Sequence, residues 1–253
     1  MPRLIALKIA KSQLEAIPKD DRTFYFVSGQ ILNDINILTK LILAARNEFV
    51  LSNSESAKRS AALAQLTLLL KLTAGRLYEA HKAINQAFSA KGFLKKYETE
   101  LAAGTLDRLK EINKYFGKKS IIERIRQHFG FHILSDKIEH EYDELPNDFV
   151  STELLSDRFL GHNLFHMSET LALLGMIGPN KDNWENRLGD MVEEITKICV
   201  VMGHFLKGYT EFFLAKYFGN EEGVIAGSAV DVSEDPSIDD VRLPYFSEPP
   251  RLP

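Results

Sequence analysis

The chain has 253 residues, 45% of them hydrophobic and 26% charged, with a formal net charge of −4. This is ordinary globular composition, long enough to bury a core without disulfides or a structural metal. The single cysteine, Cys199, excludes an intrachain disulfide and a cysteine-rich zinc site, and the net charge gives no global sign of nucleic-acid binding.

The first twenty residues read two ways. Ile5, Leu7 and Ile9 alternate as in a strand, whereas Leu4, Leu7 and Leu14 fit a short helix. Lys8 and Lys11 interrupt the segment, so it lacks a secretory pattern, and the apolar runs 66–72 and 171–177 are too short to span a bilayer. No membrane association and a cytoplasmic location are expected.

Asp20 and Asp21 are expected to cap a helix, since a short carboxylate accepts bonds from the free amides of a first turn. Phe24, Val27, Ile31, Ile35, Leu38, Ile42, Ala45 and Phe49 then recur in steps of three and four, the helical period, to about residue 50. Ser54 is placed to cap a second long helix, whose stripe runs through Leu63, Leu66, Leu70, Ala74, Leu77, His81, Ile84 and Phe88, with Gly92 loosening its end. Two shorter helices are expected over 105–116 and 120–131, divided by Gly117. The polar stretch 133–150, with Leu145-Pro146-Asn147, reads as a loop. A helix is expected from Thr152 through Leu174, stopped at Gly178-Pro179. The last long helix, from about Asp182 to Gly219, carries Leu188, Met191, Ile195, Ile198, Met202, Phe205, Tyr209 and Phe212. Within it Cys199 reads as a buried, inert thiol, and Gly203 and Gly208 as close-packing points, glycine being otherwise costly there.

From residue 219 the composition changes: eight acidic residues face only Arg242 and Arg251, and five prolines interrupt the chain. Three long amphipathic helices plus shorter ones predict an all-α helical bundle over 1–218, each apolar stripe needing neighbours to cover it. The tail, 219–253, is expected to be extended or disordered, with Val241, Leu243, Tyr245 and Phe246 apolar enough to dock.

The residues with most chemistry lie between Ser120 and Ser135. Ile121, Ile122, Ile125 and Phe129 form an apolar face, while Arg124, Arg126, Gln127, His128 and His132 are polar. Six residues at about 100° each put Arg126 and His132 on different sides of an ideal helix, so they converge only where the helix loosens, which Gly130 permits. Ten basic residues against five acidic ones between Lys91 and Arg126 offer a local cationic surface for phosphates.

Arg126, the polar Gln127 and His132 resemble the arginine–histidine motif of HEPN-domain proteins, helical bundles that include many ribonucleases. The order of elements, with long helices before the motif helix and further helix after it, extends that resemblance loosely over 20–218. It implies metal-independent RNA cleavage through attack of the ribose 2′-hydroxyl on the adjacent phosphate, with Arg126, Gln127 and His132 catalytic. His132 would be general base or acid, Arg126 would stabilise phosphate charge, and Gln127 would orient one of them. Lys118, Lys119 and Arg124 would bind RNA, and His81 and His128 would be candidates for the cleft. A homodimer joining two motifs is implied, and no metal or cofactor. The same residues also read as a surface arginine and a histidine favoured at a helix C-terminus. On that reading the chain is a non-catalytic helical module that binds another protein.

His162, His166 and Glu169 share one face if all are helical, a spacing that suits a divalent cation, but no second Glu-x-x-His completes a di-iron set. His81, on an apolar stripe, has the reading of a satisfied core histidine beside that of a cleft residue.

Overall fold

The structure is a computed structural model, which describes residues 4–53, 56–127, 135–156, 162–178, 183–219, 227–230, 237 and 240–246. The fold is all-α, dominated by three long helices: α2 (Lys19–Leu51), α3 (Ala57–Asn85) and α9 (Trp184–Phe218). Shorter helices are α1 (Lys11–Glu15), α4 (Phe93–Tyr97), α5 (Ala103–Phe116), α6 (Ile121–Ile125), α7 (Ser135–Asp143) and α8 (His166–Ile177). Strand β1 (Leu4–Ala6) pairs antiparallel with β2 (Ser228–Val230). The N-terminal ambiguity thus resolves into a strand followed by a one-turn helix.

The stripes read from the sequence are the buried faces. On α2, Phe24, Ile31, Ile35, Ile42, Ala45 and Phe49 are buried; on α3, Leu63, Leu66, Leu70, Ala74, Leu77 and Ile84; on α9, every predicted stripe residue from Leu188 to Tyr209. Among the described residues, α9 alone is long and apolar enough to cross a membrane by length and composition, and 44% of its most apolar window is buried within the fold.

Packing divides the chain into two compact units, and α2, α3 and α9 each contribute a stretch to both. The first comprises 1–36, 79–118 and 197–236. Its core is aromatic: the Phe24 ring meets Tyr209 edge-on at 4.7 Å, Phe88 meets Phe205 at 5.1 Å, and Tyr25 stacks on Phe213 at 4.2 Å. Edge-on pairs set a ring's positive rim against its neighbour's negative face. After Asn85 the backbone widens into a π-turn (Gln86–Ala90), and Gly92 at φ 71° turns the chain into α4. Gly208 packs as predicted, since a Cβ there would lie 2.2 Å from Thr105 Oγ1; Gly203 does not, having nothing within 4 Å of such an atom.

Asp21 corrects the sequence reading. It lies inside the first turn of α2 rather than before it, and its side chain points into the fold, 1% exposed. Its carboxylate accepts from Lys96 Nζ at 2.8 Å, Tyr97 Oη at 2.6 Å and Tyr217 Oη at 2.7 Å, while its carbonyl accepts from Tyr209 Oη at 3.3 Å. Asp20 pairs outside with Lys91.

The second unit comprises 37–78, 119–196 and 237–253. Its core includes Ile42, Leu66, Leu70, Leu77, Ile122, Ile125, Met176 and Met191. Ser54 lies outside the described residues; Ser56 Oγ instead accepts from the Arg59 amide at 3.2 Å, capping α3. Two predicted elements change here. The expected loop at 133–150 contains α7, a helix without a buried residue and so without an apolar stripe to announce it. The helix expected from Thr152 begins only at His166, because Leu154 and Leu164 pair across an antiparallel bridge, with amide–carbonyl bonds of 3.0 and 2.8 Å. Glu153 Oε1 then accepts from the Met167 amide at 2.9 Å, which satisfies a free donor at the start of α8.

Part of the acidic tail is laid on this unit: Tyr245 packs against Ala61, Ala64 and Leu164, and its hydroxyl donates to the Asn163 carbonyl at 2.7 Å. Arg242 reaches Glu48 at 3.4 Å.

Candidate functional site

The motif helix α6 is positioned at both ends. Ser120 Oγ accepts from the Glu123 amide at 3.2 Å, an N-cap that starts the helix, and Ile122 and Ile125 are buried at its base. Arg124 extends sideways, and its Nη2 donates to the Met176 carbonyl at 2.6 Å. From α9, Arg187 Nη2 donates to the adjacent Ile177 carbonyl at 2.8 Å. Two guanidinium groups therefore cover the free carbonyls at the C-terminus of α8, where the helix dipole favours cations. Burial lowers the Arg124 pKa, repulsion from Arg187 adds to this, and Glu194 opposes both. Gly178 is needed here twice over: its φ is 76°, and a Cβ would lie 2.7 Å from Arg124 Nη1.

Arg126 keeps α dihedrals, φ −61° and ψ −42°, with its amide on the Ile122 and Glu123 carbonyls, and at Arg126 and Gln127 the helix passes into a π-turn. Such widenings occur disproportionately at functional sites because they break the ordinary angular register. The Arg126 guanidinium lies over the Tyr78 ring, 4.5 Å from its centroid, and Gln127 Nε2 donates to Glu123 Oε1 at 3.2 Å. His128 and His132 lie outside the described residues.

A cleft of about 950 Å³ opens between α6 and the start of α9. Of the predicted residues it gathers Lys119, Arg124 and Gln127. Its walls mix charge: Lys119, Arg124 and Arg187 face Glu123, Asp190 and Glu194. Arg126 turns to Tyr78 and is not among the lining residues. Lys118 belongs to the other unit, exposed beyond the end of α5, with its amide 3.4 Å from the Tyr115 carbonyl.

His81 also belongs to the first unit and has its partners there. It stacks on Phe116 at 4.2 Å and 10°, its Nε2 is 2.9 Å from Asn85 Nδ2, and burial lowers its pKa while a hydrogen bond with Asn113 opposes the shift. His81 is thus half-buried, with its ring partnered within this unit. The suggested metal face does not form: His162 precedes α8 and meets the Phe246 ring at 5.9 Å, while His166 Nδ1 is 3.3 Å from Ser151 Oγ. Among the described residues no three His, Cys, Asp or Glu side chains are gathered as metal ligands.

Arg187, Asp190, Glu194 and Tyr78 carry no local sequence signal, because only tertiary packing brings them to α6. Compared with family models, with curated proteins and with solved structures, the chain matches none.

Proposed function

We propose that this chain is a HEPN-like, metal-independent endoribonuclease acting as a homodimer, with Arg126 and His132 as its catalytic pair. The observation that carries the reading is the onset of a π-turn at Arg126 and Gln127, because the motif needs the helix to loosen after Arg126. The neighbouring cleft supports it with Lys119 and Gln127 as groups for a phosphate. Stacking on Tyr78 holds the Arg126 guanidinium by its face. Arg124, tied to Met176, holds α8 before anything else.

In the reaction the ribose 2′ oxygen attacks the adjacent phosphorus and the bond to the 5′ oxygen breaks. One His132 imidazole takes the hydroxyl proton and the second, from the other protomer, protonates the departing oxygen. Arg126 balances charge on the non-bridging oxygens. The products are a 2′,3′-cyclic phosphate and a free 5′-hydroxyl.

The test is incubation of the purified protein with mixed RNA in EDTA. Wild type is expected to leave cyclic phosphate ends, and His132→Ala to lose about a hundredfold or more of the rate with unchanged helicity. Equal rates for the two proteins would overturn the assignment.

One observation favours a second reading, a non-catalytic protein-interaction module. Leu68 and Leu72, one turn apart on α3, are 54% and 38% exposed, an apolar strip that another helix would cover. That reading expects a protein complex and no cleavage by either protein.

A further inference from the structure

A second concavity in the 119–196 unit shares nothing with the motif. It encloses about 480 Å³, the size of a small-molecule site, between α8, the start of α9 and the segment after α7. Its walls are aromatic and aliphatic: Phe49, Phe149, Trp184, Leu63, Leu173 and Leu174.

The charges at the rim select among apolar ligands. Arg59 is already committed: its Nη2 is 2.8 Å from Glu185 and its guanidinium lies 4.1 Å from the Phe49 ring centroid. Glu144 is exposed and has no cationic partner among the described residues. Two carboxylates thus face one guanidinium, leaving the mouth net negative beside the Phe149 and Trp184 rings, of which tryptophan attracts cations more strongly.

We propose that this pocket binds a hydrophobic amine, a compact ring system with one protonated nitrogen. The ring lies among Leu173, Leu174 and the aromatic walls. The ammonium group sits at the mouth between Trp184 and Glu144. A carboxylate of the same shape is disfavoured, because its charge would meet Glu144 and would have to displace Glu185 from Arg59.

Trp184 is the only tryptophan in the chain, so its fluorescence reports occupancy directly. The experiment is a titration of the full chain with 4-phenylbutylammonium and, separately, with 5-phenylpentanoate, exciting where tyrosine does not absorb. The expected result is a saturable change in Trp184 emission at lower concentration for the ammonium. Thr170→Phe, which places a ring in the cavity, removes the response with the circular dichroism unchanged. Should that variant fold poorly, Glu144→Lys, at an exposed position, shifts the preference roughly tenfold toward the carboxylate. Equal binding of the two probes, no saturable response to the ammonium, or a Glu144→Lys variant with the wild-type preference would each overturn the proposal.

Discussion

The phenol of Tyr97 donates to Asp21 Oδ2 at 2.6 Å across 76 residues of sequence, inside a cluster that also holds Lys96 and Tyr217. Burial by itself would raise the Asp21 pKa, but the donors from Lys96, Tyr97 and Tyr217 outweigh it and leave the carboxyl below its ordinary value of 3.8. The phenols move the other way: burial, then the bond to Asp21, pushes Tyr217 up to about 12. Because the folded Asp21 pKa is depressed, its contribution to stability is present above the unfolded value near 3.8 and is lost as pH falls through the folded one. Asp21→Ala, which leaves Lys96 and two phenols without their acceptor, is expected to cost about 3 kcal/mol at neutral pH by urea denaturation. As pH falls from about 3.8 through the folded value, the variant should lose stability less steeply than wild type.

His81 sets a dependence in a different window. Its folded pKa lies below the ordinary 6.5, chiefly through burial, so the unfolded chain takes up a proton more readily. Stability from this residue is complete above about 6.5 and declines as pH falls from there toward the folded value. A proton-NMR titration of the His81 ring should give a midpoint under 6.5, and His81→Phe should flatten the loss of stability on mild acidification.

The two glycines of α9 separate intrinsic helix preference from packing. Gly203→Ala meets nothing within 4 Å and should raise stability by up to about 1 kcal/mol. Gly208→Ala drives a methyl into Thr105 and should lower stability by about 1–3 kcal/mol, measured by thermal unfolding. Thr105→Ser beside Gly208→Ala leaves Oγ1 in place and restores little if the hydroxyl is what obstructs.

At the cleft, Arg124 and Lys119 should part company. Arg124→Met removes the donor to Met176 and is expected to destabilise the fold by about 1–3 kcal/mol. Lys119→Ala, at an exposed side chain, should leave the denaturation midpoint in place. If the proposed ribonuclease reading holds, it should also weaken RNA binding and reduce the salt slope by about one.

Elements with a buried face and a strong terminator were legible from the residues. The stripe of α2 and the Gly178 stop of α8 come from local periodicity and from a φ of 76° that glycine tolerates. What escaped had its cause elsewhere in the chain. Asp21 has the local look of a cap, and only the return of α4 and α9 shows that three side chains converge on its carboxylate. His162 and His166 look like one helical face until the Leu154–Leu164 bridge delays the helix. Helix α7 lacks any buried position, so hydrophobic spacing had nothing to register. Of the cleft, Lys119, Arg124 and Gln127 are neighbours in the sequence, whereas the opposing α9 charges depend on an approach that spacing does not encode.

The ribbon of β1 and β2 has a consequence for the order of folding. Leu4 and Val230 are register partners although more than two hundred residues separate them, and each strand is only three residues long. Closing so long a loop carries an entropy cost that a few ladder bonds do not offset alone. The helices must first bring the two segments within reach, so the ribbon zips after them and opens before them. Its amides are expected to exchange faster than those in the middle of the long helices.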